Sequence, residues 1–200
     1  LCKAVIGGME LKKRQITVLA GDKRSLALAE MFLADGMDLT LYGFDDNRLA
    51  EGLSQAKTLD EAIAASPIII GPLPFTNRAG NLSTPLFTGE IVLEDVFQRM
   101  KEGQVLLGGH LLENVSQLAS EYQIELKDYF AREELQVLNA IPTAEGTIQI
   151  AMEKMDTTLH GSNVMVLGFG RIGKTLANML AGIGANVHVV ARKHEDIAWI

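Results

Sequence analysis

The sequence predicts an α/β protein built from two doubly wound parallel-sheet domains joined by a linker helix, the second domain unfinished within the chain. Three observations carry this. Short apolar runs alternate with stretches of helical periodicity along nearly the whole length. The first four runs each meet a glycine where a strand hands over to a loop, at Gly21, Gly43, Gly71 and Gly108. A glycine-rich turn, Gly168-Phe169-Gly170-Arg171-Ile172-Gly173, stands between a strand and a helix.

The elements follow in order. Residues 16–20 are an apolar run and read as a buried strand; Leu26, Ala29, Met31, Phe32 and Leu33 then recur at helical spacing up to Gly36. The next strand is 38–42, so the chain opens with a βαβ unit and hence parallel pairing. Thr58 is placed to cap a helix through Ala64, and 67–71 is a third strand. The Pro-, Asn- and Gly-rich loop over 72–90 is long for a compact domain, which marks it as functional or mobile. A helix over 93–101, a strand over 104–107, a helix over 111–121 and a strand over 124–126 complete the first domain, 14–137. Pro142 suits a first helical turn, and Ile148, Ala151, Met152 and Met155 form a stripe, so 138–160 reads as a linker containing a helix from Pro142 to about Leu159. From 161 to 200 a strand, the glycine turn with its helix, and a strand over 186–191 begin a second, Rossmann-like domain. Its further strands are expected beyond Ile200.

The glycine turn carries the clearest chemistry. Gly168 permits the tight exit from the strand, Gly170 lets the backbone approach a pyrophosphate, and Gly173 lets helix pack on strand. The helix N-terminus, with Phe169, Arg171 and Ile172 around it, offers free N–H donors to that anion. The end of the following strand selects the cofactor. It reads Val190-Ala191-Arg192-Lys193, with no carboxylate before Glu195 to accept from ribose hydroxyls. Arg192, with Lys193 beside it, suits a 2′-phosphate, so NADP is expected, NAD being the alternative. A solvated surface charge is the other role open to Arg192.

Composition narrows the remaining classes. Of 200 residues, 48% are hydrophobic and 22% charged, ordinary for a globular protein. A net charge of −7 without a basic tail argues against nucleic acid as partner. No apolar run reaches the roughly 18 residues that a membrane-crossing helix needs. The single cysteine, Cys2, forms no intrachain disulfide and fits a reducing cytoplasm, and residues 1–9 are too short and glycine-rich for a signal peptide. No His, Cys and carboxylate cluster has metal-ligand spacing, so no metal is expected.

The order of motifs from Ile16 to Arg192 resembles the family of dipicolinate synthase A subunits. The resemblance rests on Val18-Leu19-Ala20-Gly21-Asp22-Lys23-Arg24, on Leu41-Tyr42-Gly43-Phe44-Asp45, and most specifically on Asn139-Ala140-Ile141-Pro142-Thr143-Ala144-Glu145-Gly146-Thr147-Ile148. Thr157-Thr158-Leu159-His160-Gly161-Ser162-Asn163-Val164 and the glycine turn follow that block. The resemblance implies an NADP-linked subunit that oxidises dihydrodipicolinate to pyridine-2,6-dicarboxylate in the mother cell during sporulation. It also implies a partner, a flavoprotein-like second subunit, in a homo- or hetero-oligomer, and a fold similar to the 2-hydroxyacid dehydrogenases. A 2-hydroxyacid dehydrogenase-like enzyme and a dinucleotide-binding redox sensor without turnover are the alternatives.

For a dicarboxylate substrate, Arg24 is the first candidate and Lys23 the second, both at a strand's carboxyl end where open α/β sheets bind ligands; surface charges on a first helical turn are the plainer role for both. Thr143, Gly146 and Thr147 are expected at the start of the linker helix, with free N–H groups and hydroxyls for an anion. Glu145 is a candidate general base, or else a first-turn acid stabilising the helix dipole. His110, after a strand and two glycines, is a candidate for proton transfer, with helix capping or plain exposure equally open. His160 is expected to stabilise the C-terminal end of the linker helix, and His188, alternating within its strand, to be packed or to face another layer.

Overall fold

The computed structural model describes residues 15–45, 49 and 53–200. Cys2 and the N-terminal run 1–9 lie outside the described residues. The chain divides into two compact units, Leu1–Phe130 and Ala131–Ile200.

Unit 1 contains β1 (Gln15–Leu19), α1 (Lys23–Ala34), β2 (Asp38–Tyr42), α2 (Leu59–Ala64), β3 (Ile68–Ile70), α3 (Leu93–Arg99), β4 (Val105–Gly108), α4 (Glu113–Glu121) and β5 (Glu125–Asp128). The strands form one five-stranded sheet in the order β2-β1-β3-β4-β5, every pairing parallel. Parallel pairing follows from the helical crossovers, and the order reverses between β1 and β3. The sheet is covered on both faces. Ile16, Val18 and Ile70 pack with Leu26 and Ala29 of α1. Leu19, Ile69 and Leu106 pack with Ile63 of α2, Val96 and Phe97 of α3, and Val115 of α4. This is why the strands read as continuous apolar runs instead of alternating ones. Met31 and Leu33, expected in the helical stripe of α1, are exposed; Leu26 and Ala29 alone in that helix are buried.

Asp22 caps α1 by accepting from the Arg24 N–H at 2.8 Å. Thr58 caps α2 by accepting from the Glu61 N–H at 3.2 Å. The long segment after β3 is pinned to the sheet. Phe75 and Leu82 are fully buried, the Phe75 N–H donates to Gly109 O at 2.8 Å, and the Leu82 N–H donates to Ile91 O at 3.0 Å.

Unit 2 contains α5 (Glu133–Lys154), β6 (Asn163–Leu167), α6 (Arg171–Ile183), β7 (Asn186–Val190) and the short α7 (His194–Ile197). β6 and β7 form a two-stranded parallel sheet. One face, carrying Val164, Val166, Val187 and Val189, packs with Leu176 and Leu180 of α6 and with Ile148, Ala151 and Met155. The other face, with Met165, Leu167, His188 and Val190, is exposed, so among the described residues His188 is neither packed nor set against another layer.

The linker helix departs from expectation. α5 begins at Glu133 and runs through Pro142 without a break, ending at Lys154 and not near Leu159. An interior proline costs about 3 kcal/mol, because it removes one N–H and crowds the preceding turn. The helix nevertheless continues, packed along α6, with Ala140 and Ala144, one turn apart, fully buried. Met152 is exposed, so the stripe is Ile148, Ala151 and Met155. His160 lies beyond the helix end and packs on Gly184, where a Cβ would come within 2.6 Å of its ring. Among the described residues no helix is long and apolar enough to cross a membrane, and no group of three or more His, Cys, Asp or Glu is placed to hold a metal.

Thr17 is the buried polar residue of β1, and its hydroxyl donates to Ala62 O at 2.8 Å. Thr17→Val keeps the shape and leaves that carbonyl short of a partner. A loss on the order of 1–3 kcal/mol in chemical denaturation is expected; an unchanged midpoint would show that the bond is not needed.

Candidate functional site

In unit 1 the loops at the carboxyl ends of β1, β3, β4 and β5 carry the polar groups. The turn after β1 takes left-handed backbone at Ala20 (φ 56°) and φ 125° at Gly21, and Arg24 follows on the first turn of α1. Its guanidinium is held firmly. Nε donates to Asp22 Oδ1 and Oδ2 at 3.1 and 3.0 Å, and Nη2 donates to Asp22 Oδ2 at 2.7 Å and to Leu73 O at 2.5 Å. Partial burial works to raise the Asp22 carboxyl, but Arg24's hydrogen bonds and charge together outweigh it and hold the group below the usual carboxylate range. The hydrogen bonds to Asp22 in turn raise the Arg24 guanidinium. Lys23 is exposed and makes no ion pair among the described residues.

The β4 and β5 ends are joined by Asp128. Its carboxylate accepts from the N–H groups of His110 (3.1 Å), Leu111 (3.0 Å) and Phe130 (2.7 Å). These bonds fix His110 in left-handed backbone (φ 60°), with its ring edge-on to Phe130 at 6.3 Å. Tyr129 reaches back across β4 and donates to Gly71 O at 3.2 Å. Burial pushes its phenol up to about 12, helped by the charges of Asp128 and Asp22 and opposed by Arg24. The structure thus brings Arg24 and His110 to one sheet edge, with Asp22, Asp128 and Tyr129, which sequence reasoning missed. Their signal was available: the run Lys127-Asp128-Tyr129-Phe130 follows the last strand at the same edge.

In unit 2 the glycine turn has the form expected for an anion cradle. Gly168 has φ 109°, and its N–H donates to Val190 O at 2.8 Å, which ties the turn to the end of β7. A Cβ on Gly173 would collide with Gly168 O, so only glycine permits this helix-to-strand approach. Cβ atoms on Gly168 and Gly170 would enter open space, and α6 starts at Gly170 with no side-chain cap. Among the described residues, the first N–H groups of α6, at Arg171, Ile172 and Gly173, therefore have no side chain filling the place of an anion. These residues fit a dinucleotide pyrophosphate.

Arg171 itself is committed elsewhere: Nη2 donates to Gln136 and pairs with Glu133 at 3.1 Å. Lys174, another residue not expected at the site, stands 5.1 Å from the centroid of the Phe169 ring and pairs with Asp196 at 3.3 Å. Arg192 is exposed and makes no ion pair among the described residues, whereas Lys193 pairs with Glu195 at 3.5 Å.

The block around Glu145 is a correction. Thr143, Glu145, Gly146 and Thr147 lie inside α5, about three to four turns from its start, so the expected free N–H groups are not there. The Thr143 and Thr147 hydroxyls donate back to Asn139 O and Thr143 O, each at 2.8 Å. Glu145 is exposed, and a Cβ on Gly146 would meet nothing.

Gly173→Ala forces helix and strand apart, because the atom it meets is backbone. A loss on the order of 1–3 kcal/mol is expected, read as a lower thermal midpoint for the transition of unit 2; a wild-type midpoint would show that α6 can shift freely.

Comparison with known proteins agrees with both units. Residues 15–130 match the family described as the N-terminal domain of the dipicolinate synthase A subunit. Residues 135–198 match the NAD-binding domain of D-isomer specific 2-hydroxyacid dehydrogenases, in keeping with a nicotinamide dinucleotide as cofactor. The dipicolinate synthase A subunit of Bacillus subtilis is 36% identical over 190 residues, covering 93% of this chain and 63% of its own length. The crystal structure of the dipicolinate synthase A chain from Bacillus subtilis aligns with a TM-score of 0.76 at 34% identity, over 95% of this chain and 64% of that one. The corresponding structure from Bacillus halodurans aligns with a TM-score of 0.81 at 31% identity, over 96% and 66%. The chain spans just under two thirds of the length of each of these relatives. With residues 15–130, more than half of its length, matched by the N-terminal domain of that family, this chain belongs to the family of dipicolinate synthase A subunits.

Proposed function

We propose that this chain acts in the dehydrogenase-like subunit of dipicolinate synthase, oxidising dihydrodipicolinate to pyridine-2,6-dicarboxylate with NADP as cofactor. The observation that carries this is the uncapped glycine turn of unit 2, and unit 1, taken by itself, presents a fixed cation at the carboxyl edge of its sheet. When bound, the nicotinamide ring supplies the hydride acceptor. The N–H groups of Arg171, Ile172 and Gly173 bind the pyrophosphate, with Gly168, Phe169 and Gly170 shaping its approach. Arg192 binds the 2′-phosphate, its guanidinium being unpaired among the described residues, and Lys193 adds charge beside it. Arg24 binds a substrate carboxylate, with Lys23 adding positive potential at the same helix start.

Loss of a hydride from one ring carbon and a proton from its neighbour yields the aromatic ring. Aromatisation supplies the driving force, so the protein's work is orientation and proton removal. His110, whose backbone N–H is held by Asp128, is the proton acceptor we favour on unit 1; Glu145, exposed on α5, is the second. Thr143, Gly146 and Thr147 present an uncrowded helix surface beside Glu145 for the substrate or the nicotinamide amide. The family name also motivates a partner, a second and flavoprotein-like subunit, and the setting is the cytoplasm of the mother cell during sporulation.

The test uses the protein carrying this chain at its full natural length, mixed with enzymatically generated dihydrodipicolinate and NADP⁺, with and without the second subunit. NADPH and the pyridine product are expected to rise together in at least one mixture. Cofactor binding without turnover in either would overturn the dehydrogenase assignment in favour of a sensor. In the same assay Arg192→Asp is expected to lose roughly tenfold or more in preference for NADP⁺ over NAD⁺; an unchanged preference removes Arg192 from the 2′-phosphate.

A further inference from the structure

We propose that Tyr129 is the second arm of a carboxylate clamp whose first arm is Arg24, the phenol hydroxyl and the open edge of the guanidinium holding one carboxylate of the substrate between them. This rests on the assignment of the unit 1 edge to the substrate.

The two side chains come from opposite sides of the sheet. Arg24 follows β1 and Tyr129 follows β5, with β3 and β4 between those strands. Both nevertheless donate to the same short segment beyond β3: Tyr129 Oη to Gly71 O at 3.2 Å, and Arg24 Nη2 to Leu73 O at 2.5 Å. Gly109 makes the convergence possible. A Cβ there would lie 2.7 Å from both Cζ and Oη of Tyr129 and 2.8 Å from the Leu73 Cβ. Only a glycine at the end of β4 lets the phenol cross to the end of β3.

Each arm is built to receive an anion. Asp22 and Leu73 occupy Nε and Nη2 of Arg24, which fixes the plane of the guanidinium. Nη1 carries no hydrogen bond among the described residues, and the side chain is 53% exposed, so one nitrogen of a preoriented guanidinium, with its two N–H groups, is left for a ligand. The Tyr129 bond to Gly71 is long for a hydroxyl donor, near 2.7–2.8 Å when well formed. A carboxylate offers a shorter, charge-assisted bond in exchange. The half-buried phenol keeps its proton at neutral pH and so remains a donor. Local charge selects the ligand class. Asp22 already neutralises much of Arg24, and the Asp128 carboxylate adds negative charge near Tyr129, so a phosphate dianion is disfavoured more than a singly charged carboxylate.

Calorimetric titration of pyridine-2,6-dicarboxylate into the full-length protein, together with steady-state kinetics, tests the clamp. Tyr129→Phe keeps the ring over Gly109 and removes the donor. Its Kd for the dicarboxylate and its KM for dihydrodipicolinate are expected to rise roughly tenfold, with the affinity for NADP⁺ unchanged. Arg24→Lys keeps the charge and loses the fork, and the same weakening is expected; this variant carries the test if Tyr129→Phe does not fold. Wild-type affinity in both variants would overturn the clamp while leaving the enzymatic assignment standing. Wild-type protein that binds the dicarboxylate through these residues yet does not oxidise dihydrodipicolinate would leave the clamp standing and overturn that assignment. No binding of the dicarboxylate by wild-type protein would overturn the clamp.

Discussion

Parallel pairing is the constraint on which the arrangement of unit 1 depends. A strand that must run in the same direction as its neighbour needs a crossover, and every crossover leaves from the carboxyl end. Successive strand ends therefore deliver their loops to one edge, and the order reverses there between β1 and β3, the place where open α/β sheets bind ligands. The polar side chains of Asp22, Arg24, Asp128 and Tyr129 are collected at that edge by topology alone. Glycine then sets how closely they approach: Gly71 and Gly108 admit the Phe75 ring, and Gly109 admits Tyr129.

The energetics of that edge point to orientation over stability. The Arg24–Asp22 pair is half exposed, and such pairs contribute about 0–1 kcal/mol in water. Its consequence is geometric, because a guanidinium tied at two nitrogens presents its third in one direction. Asp128 acts similarly on backbone, with one carboxylate fixing three N–H groups and through them the place of His110. Unit 2 uses a different device. Close contact of Gly173 with the Gly168 carbonyl brings α6 onto β6, and the uncapped helix start directs its N–H groups outward.

The features legible in the sequence were those written in local pattern. Strand positions, the Thr58 cap and the roles of Gly168 and Gly173 all follow from runs, periodicity and spacing. Pro142 misled, because local chemistry assigns it to a first turn, whereas the helix runs through it while packed along α6. The free N–H groups expected at Thr143 and Gly146 disappeared with that helix start. Tyr129 and Asp128 escaped for the converse reason. Their place after the last strand of unit 1 was legible, but their partners Gly71, His110 and Leu111 are distant in sequence and are brought to them by the sheet. The loop over 72–90, marked only by its length, gains its order from Phe75 and Leu82, whose burial depends on strands on either side.

A crystal structure of the full-length protein with pyridine-2,6-dicarboxylate and NADP⁺ is the most direct test of the claim that the carboxyl edge of the unit 1 sheet is the substrate site. The expected result is a carboxylate of the acid over the ends of β1 and β3, within hydrogen-bond distance of Arg24 Nη1 and Tyr129 Oη. An acid bound away from that edge, with Arg24 still closed on Asp22 and Leu73 and Tyr129 still on Gly71, would contradict it.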